Sequence, residues 1–259
     1  MKTNIARRAV AETLGTALLL ATVVGSGIMG ERLAGGNVAV ALLANTTATG
    51  AALVALILTL GPISGAHFNP AVTVADAVEN GISWRDVPIY IAGQIIGAFV
   101  GVAVADLMFE LPVFFASQKV RTGPAQWLSE FVATFGLLAV IWGCSRLRSA
   151  TVMPFAVAAY ITAAYWFTAS TSFANPAVTL ARSMSDTFAG IRPVDAPGFI
   201  IAQLMGALAA TFLFRWLLPI EKNDAARLIV PHETENNETN VGANAEDNGY
   251  QRESEKSVL

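Results

Sequence analysis

The chain has 259 residues, of which 54% are apolar and only 14% charged, with a mean hydropathy of +0.54. An ordinary soluble domain carries about 25% charged residues, so the composition excludes that class. Nine acidic and four basic residues follow Pro219, a net of −5 against +2 for the rest, so the acidic balance of −3 comes from the tail. It says nothing about a charged substrate, and nothing points to nucleic acid. Cys144 is the single cysteine, which rules out an intrachain disulfide. Lying in an apolar run, it reads as an inert buried thiol.

In chain order, Lys2, Arg7 and Arg8 precede an apolar stretch over 9–29. The stretch is longer than a typical signal-peptide core and further ones follow, so it reads as a retained first helix. A membrane-crossing helix needs ~20 apolar residues. Six segments qualify, at about 9–29, 38–60, 84–108, 127–146, 150–168 and 196–218. Two apolar pieces, 69–78 and 175–184, are too short to cross. Each follows a Gly/Ser/Thr-rich approach and opens Asn-Pro-Ala, with proline at the first helical position, where its missing N–H costs nothing. They predict half-helices that begin inside the membrane. Beyond residue 220, the acidic stretch 221–259 is poor in aromatics and reads as a disordered tail.

Six crossings place both termini on one side. The distribution of Lys and Arg among the short loops favours the cytoplasm of a cell (inner) membrane.

The sequence repeats itself. Asn69-Pro70-Ala71-Val72-Thr73-Val74-Ala75 matches Asn175-Pro176-Ala177-Val178-Thr179-Leu180-Ala181. Upstream, Glu12 matches Glu130; downstream, Gln94 matches Gln203. Each repeat, 9–108 and 127–218, holds three spans and one half-helix. An odd span count forces the second copy to insert upside down, which is a recurrent transport architecture. The fold class is therefore all-α, with six transmembrane helices and two re-entrant half-helices in an inverted 3+3 repeat. Small residues at helical spacing, Gly93, Gly97 and Gly101 on one span and Ala202, Gly206 and Ala210 on another, predict close helix packing.

Non-helical backbone survives at membrane depth only where it is buried in protein or lines a wet cavity. The approaches 61–68 and 168–174 can supply a ladder of carbonyl acceptors. The two half-helices would meet end to end, each N-terminus carrying roughly +0.5 elementary charge. Asn69 and Asn175 can cap these helices and donate amide N–H groups to a passing oxygen. Facing dipoles of this kind repel cations and hydronium.

Paired Asn-Pro-Ala motifs on half-helices, with a matched glutamate on spans one and four, resemble the aquaporin (major intrinsic protein) family over residues 9–219. The stretch from Ala177 to Ile191 is similar to bacterial aquaglyceroporin-like members associated with arsenic resistance. The resemblance implies a passive channel for small uncharged solutes: glycerol, neutral metalloid hydroxides such as arsenous acid, urea and water. It implies a homotetramer in the lipid bilayer, with one pore per subunit. It places Asn69, Pro70, Ala71, Asn175, Pro176 and Ala177 at the pore centre and Glu12 and Glu130 as supports of the loops. His67 matches a frequent family position and is a candidate loop or gate residue.

By offset from the motifs, the family's narrow filter maps to Thr49, Ala163, Ser172 and Val178. Valine stands where an arginine is usual, so the ring would be wide and without fixed charge. Arg182, four residues on, is either that arginine displaced by a turn into an outer vestibule or an interfacial residue paired with Asp186. In the first case it would narrow the pore towards a strict water channel. An alternating-access transporter also uses inverted repeats, but the spans hold almost no ionisable groups beyond the glutamates. A non-conducting scaffold has no need of the motif pair. No nucleophile–base pair, phosphate loop, metal-ligand cluster or cofactor motif points to an enzyme.

Overall fold

The computed structural model describes residues 4–148 and 151–219. The tail predicted from 221 lies outside them. The described chain is helical, with elements α1 (Ile5–Leu33), α2 (Val38–Ser64), α3 (Pro70–Val78), α4 (Val87–Met108), α5 (Pro124–Leu147), α6 (Met153–Phe167), α7 (Pro176–Arg182) and α8 (Ala196–Leu217). Its one extended pairing is a parallel bridge between Phe115 and Ser185. The half-helices are thus α3 and α7, and the spans are the other six.

Local chemistry sets the boundaries. Asn4 caps α1 by accepting from the Arg7 N–H at 3.0 Å. Asn37 caps α2 through the N–H groups of Ala39 and Val40. The second span runs on to Ser64, four residues beyond the apolar run, and stops at Gly65, whose φ of 90° ends the helix in the left-handed region. The fifth span is shorter than its apolar run. Helix α6 has 15 residues, a length of roughly 22 Å: it begins at Met153, and Thr168 turns extended (φ −105°, ψ 137°) to end it and start the approach to α7.

Packing follows the duplication. Helix α1 lies along α2 and α4 as α5 lies along α6 and α8, and α2 meets α6 where the repeats join. Each half-helix touches both α4 and α8, and the two half-helices touch each other. The glycine stripe behaves as predicted: a Cβ on Gly97 would sit 2.2 Å from the Thr13 carbonyl oxygen, and one on Gly206 would sit 2.4 Å from that of Phe131. Outward faces carry exposed apolar side chains such as Leu14, Leu18, Ile96, Phe155 and Phe212, which suits contact with lipid.

Neither carbonyl can retreat without disturbing its helix. Gly97→Val should therefore lower stability by about 1–3 kcal/mol or more, read as a reduced thermal midpoint in detergent. An unchanged midpoint would mean that α1 and α4 are not in backbone contact.

Candidate permeation pathway and its anchors

Each half-helix begins at a proline with the preceding asparagine as its cap. Asn69 Oδ1 accepts from the Ala71 N–H at 2.9 Å, and Asn175 Oδ1 accepts from Ala177 at 3.0 Å and Val178 at 3.3 Å. The amide nitrogens cross the repeat boundary. Asn69 Nδ2 donates to the Ala174 carbonyl and Asn175 Nδ2 to the Phe68 carbonyl, each at 2.7 Å. A carboxamide has two N–H donors, so each asparagine keeps one. Both residues line a cavity of about 770 Å³, a volume that includes open solvent.

The approach loops are held in a costly conformation. Ala66 and Phe68 in one, and Thr171, Ser172 and Ala174 in the other, have φ between 48° and 61°. Such left-handed residues cost about 1–3 kcal/mol each. Buried glutamates hold them there. Glu12 accepts from the N–H groups of His67 (3.0 Å) and Phe68 (2.7 Å), the Ser64 hydroxyl (2.6 Å) and Gln94 Nε2 (2.8 Å). Glu130 accepts from the N–H groups of Phe173 and Ala174, both at 2.9 Å, and from Gln203 Nε2 at 2.6 Å. The glutamines also donate to Thr73 and Thr179, whose hydroxyls close onto the Asn69 and Asn175 carbonyls. With their N–H groups turned to the glutamates, the loops present Gly65, Ala66, Ser172 and Phe173 to the cavity.

His67 lines the cavity, with Nδ1 3.0 Å from the Thr73 hydroxyl and Nε2 3.5 Å from Asp76 Oδ2. Arg8, buried under the same loop, donates to the Tyr90 hydroxyl at 2.7 Å, and that hydroxyl donates to the Ser64 carbonyl.

On the α7 side the mapped ring is only partly assembled. Thr49, Ser172 and Val178 line the cavity. Ala163 does not: it is exposed on the outer face of α6, while Ile161 and Tyr165 line the cavity. At 100° per residue, positions two apart lie on nearly opposite sides of a helix. Arg182 also lines the cavity, is 2% exposed, and lays its guanidinium carbon 3.4 Å from the centre of the Phe173 ring. Its Nε donates to the Ala189 carbonyl. The alternative pairing with Asp186 does not form; Asp186 accepts from Gln118 N–H and the Ser117 hydroxyl. Arg121, from the α4–α5 loop, donates to the carbonyls of Gly190 (2.8 Å) and Ser170 (2.9 Å) and also lies over Phe173. Burial pushes its pKa down to about 10, which leaves it charged at neutral pH.

The model of the major intrinsic protein family matches residues 1–151 and 145–245. The chain belongs to that family. Aquaglyceroporin AqpS of Rhizobium meliloti is 59% identical over 83% of this chain and 91% of its own length. A probable glycerol uptake facilitator of Thermotoga maritima is 35% identical over 51% of this chain and 62% of its own. The crystal structure of the aquaglyceroporin from Plasmodium falciparum superimposes with a TM-score of 0.63 at 21% identity, covering 83% of this chain and 98% of that one. At that identity the likeness shows the fold. This major intrinsic protein is thus a multi-pass membrane channel for small neutral solutes, and its family is one of channels, not enzymes.

Sequence reasoning missed Arg121, Tyr165, Phe173 and the roles of Gln94 and Gln203. The glutamines were visible as a repeat match. Tyr165 had no signal separating it from its neighbour Trp166.

Removing the Glu130 carboxylate orphans two buried N–H groups, at about 1–3 kcal/mol each. Glu130→Ala should cost about 2–6 kcal/mol on that basis and abolish solute flux. Glu130→Gln, which keeps one acceptor oxygen, should lose less of both. Thermal midpoints and flux measured on the two variants would rank them; equal behaviour would remove the glutamate's anchoring role.

Proposed function

We propose that the cavity conducts glycerol and neutral metalloid hydroxides such as arsenous acid, with urea and water as further permeants. Its centre is the Asn69-Pro70-Ala71 and Asn175-Pro176-Ala177 pair. Thr49, Ser172 and Val178 belong to the lining on the α7 side, and Glu12 and Glu130 hold the loops. The carrying observation is the spare N–H on each asparagine. Both are fixed at the meeting point of two positive helix ends, where a solute oxygen is welcome and a cation is not. The rest of the lining is largely hydrocarbon, from Leu19, Val23, Leu53, Ile57, Leu137 and Ile141. Polar groups on one side and hydrocarbon on the other suit a solute with hydroxyls and C–H bonds. The names of the two relatives, an aquaglyceroporin and a glycerol uptake facilitator, support the same class.

In this reading residues 1–220 form the channel domain and 221–259 a separate acidic tail, both termini are cytoplasmic at the inner membrane, and four copies assemble. A second reading, a water-selective channel, draws on Arg182, which brings a guanidinium to the cavity wall.

Stopped-flow light scattering on proteoliposomes separates the two. Wild-type protein should pass glycerol and arsenous acid as well as water. Asn175→Asp replaces a donor by a carboxylate and loses the bond to Phe68. It should cut glycerol flux at least tenfold, the worth of about 1.4 kcal/mol, with the protein still monodisperse. Water flux without glycerol flux in the wild type would establish the water-selective reading instead.

A further inference from the structure

We propose that Glu79, with Arg146 and Arg215, forms a clasp that fixes the first half-helix from its far end and so positions Asn69 at the centre of the pathway. The inference rests on the neutral-solute reading above only for the solutes that test it.

Helix α3 has nine residues; Asn69 opens it and Glu79 closes it. A carboxylate at a helix C-terminus faces the negative end of the dipole, so helix chemistry alone does not place Glu79 there. Two guanidinium groups do. Glu79 Oε2 accepts from Arg146 Nη2 at 2.9 Å, and Oε1 accepts from Arg215 Nε at 2.8 Å. The arginines stand in the last turns of α5 and α8, both in the second repeat. Arg215 Nη2 also donates to the carbonyl of Val78, the last residue of α3, at 2.7 Å. Arg146 Nη1 donates to the Phe214 and Leu218 carbonyls at the end of α8, and its guanidinium lies over the Trp142 ring. One carboxylate and two cations leave a net positive charge at the negative end of α3, and three helix ends are tied together. The Glu79 and Arg146 side chains are only 4% and 6% exposed, so salt screens that pair little.

The duplication repeats this contact with other chemistry. Glu79 lies ten residues after Asn69, and Ser185 lies ten after Asn175. Arg215 lies twelve residues after Gln203, and Asp106 lies twelve after Gln94. The Ser185 hydroxyl donates to Asp106 Oδ1 at 2.9 Å. In both halves, therefore, a residue just beyond the half-helix holds the last turn of the other repeat's third span. Recurrence at matched positions marks a part of the fold and not a chance surface ion pair, and the ionic version secures α3. Across the repeat boundary, α3 is tied at its start by Asn69 Nδ2 on the Ala174 carbonyl and at its far end by the clasp. So short a helix moves as a body. With the clasp open, α3 tilts, and Asn69 loses alignment with that carbonyl and with the spare N–H of Asn175. Glycerol, which meets both donors with linked hydroxyls, then suffers more than water, which needs them one at a time.

Proteoliposome fluxes of glycerol and water, read as a ratio, test the clasp. Misfolded channels scale both fluxes alike and leave the ratio unchanged. Glu79→Ala and Arg215→Ala should each lower the glycerol-to-water ratio about threefold, the weight of one hydrogen bond at Asn69. The Arg215 side chain is half exposed, so its variant decides the case if Glu79→Ala folds poorly. Arg215→Lys keeps a cation beside Glu79 and should keep most of the ratio. Arg85→Ala, at an exposed arginine in the turn before α4, should leave the ratio at its wild-type value. Hydrogen exchange reads the clasp without any solute: protection over 70–78 should fall in both alanine variants while 176–182 stays protected. Wild-type flux ratios, or wild-type protection over 70–78, in Glu79→Ala and Arg215→Ala overturn the proposal. A wild-type channel that passes no glycerol would instead sink the function proposed above, and exchange would still decide the clasp.

Discussion

A carboxylate accepting the N–H groups of a loop at membrane depth is the interaction on which the rest of the structure depends. Lipid offers no partner for those donors, and the loops place non-glycine residues at positive φ. Left alone, each condition would refold the segment. Glu12 and Glu130 meet both at once: each accepts from two adjacent N–H groups, those of His67 and Phe68 or of Phe173 and Ala174, within the stretch that holds the positive-φ residues. The glutamates are themselves fully enclosed, and an isolated buried carboxylate would be expensive. Ser64 and Gln94 at Glu12, and Gln203 at Glu130, supply the remaining donors. The glutamines then reach the threonines that close on the asparagine carbonyls, so anchor, loop and half-helix cap form one connected network in each repeat.

The two networks are joined by the reciprocal bonds from Asn69 to Ala174 and from Asn175 to Phe68. This pairing explains why an asparagine, rather than another helix cap, opens each half-helix. Aspartate and serine can also cap, but neither can accept from the helix while donating twice. Capping takes the oxygen, the partner loop takes one N–H, and the last N–H remains for the solute. Replacement by aspartate would put negative charge where two helix ends and, further along, Arg121 and Arg182 are all positive.

The sequence made the scaffold legible because each part carries its own signal. Apolar length marks the spans, and proline after a capping asparagine marks the half-helices. The repeat pairs Glu12 with Glu130 and Gln94 with Gln203. The cavity lining that α6 and α7 supply is less legible, for a geometric reason. Counting back from Asn175 to α6 crosses the non-helical stretch 168–175, where spacing carries no rotational information. An error of two residues turns a side chain by about 200°, which is the difference between Ala163 on the outer face and Tyr165 in the cavity. Arg182 was open between two readings because its spacing fits both Val178 and Asp186. Asp186 is occupied by the Ser117 hydroxyl and the Gln118 N–H, which no local pattern announces. Arg121 lies in an irregular loop with no period at all.

The position of the Arg182 guanidinium depends on connecting segments as well as on α7. One turn beyond Val178, the guanidinium is held by the Ala189 carbonyl and the Phe173 ring. The 183–191 segment that offers the carbonyl is held in turn by the α4–α5 loop, through Ser117 N–H to the Ser183 carbonyl (3.0 Å) and Arg192 N–H to the Lys119 carbonyl (2.8 Å). Arg121 bridges the same two regions, bonding Gly190 on one side and Ser170 on the other. The guanidinium thus has two kinds of support, the 183–191 segment through the Ala189 carbonyl and the approach loop that Glu130 holds through the Phe173 ring. Loops tolerate sequence change more readily than packed spans, so the first support can vary while the asparagine pair and its glutamate anchors stay fixed.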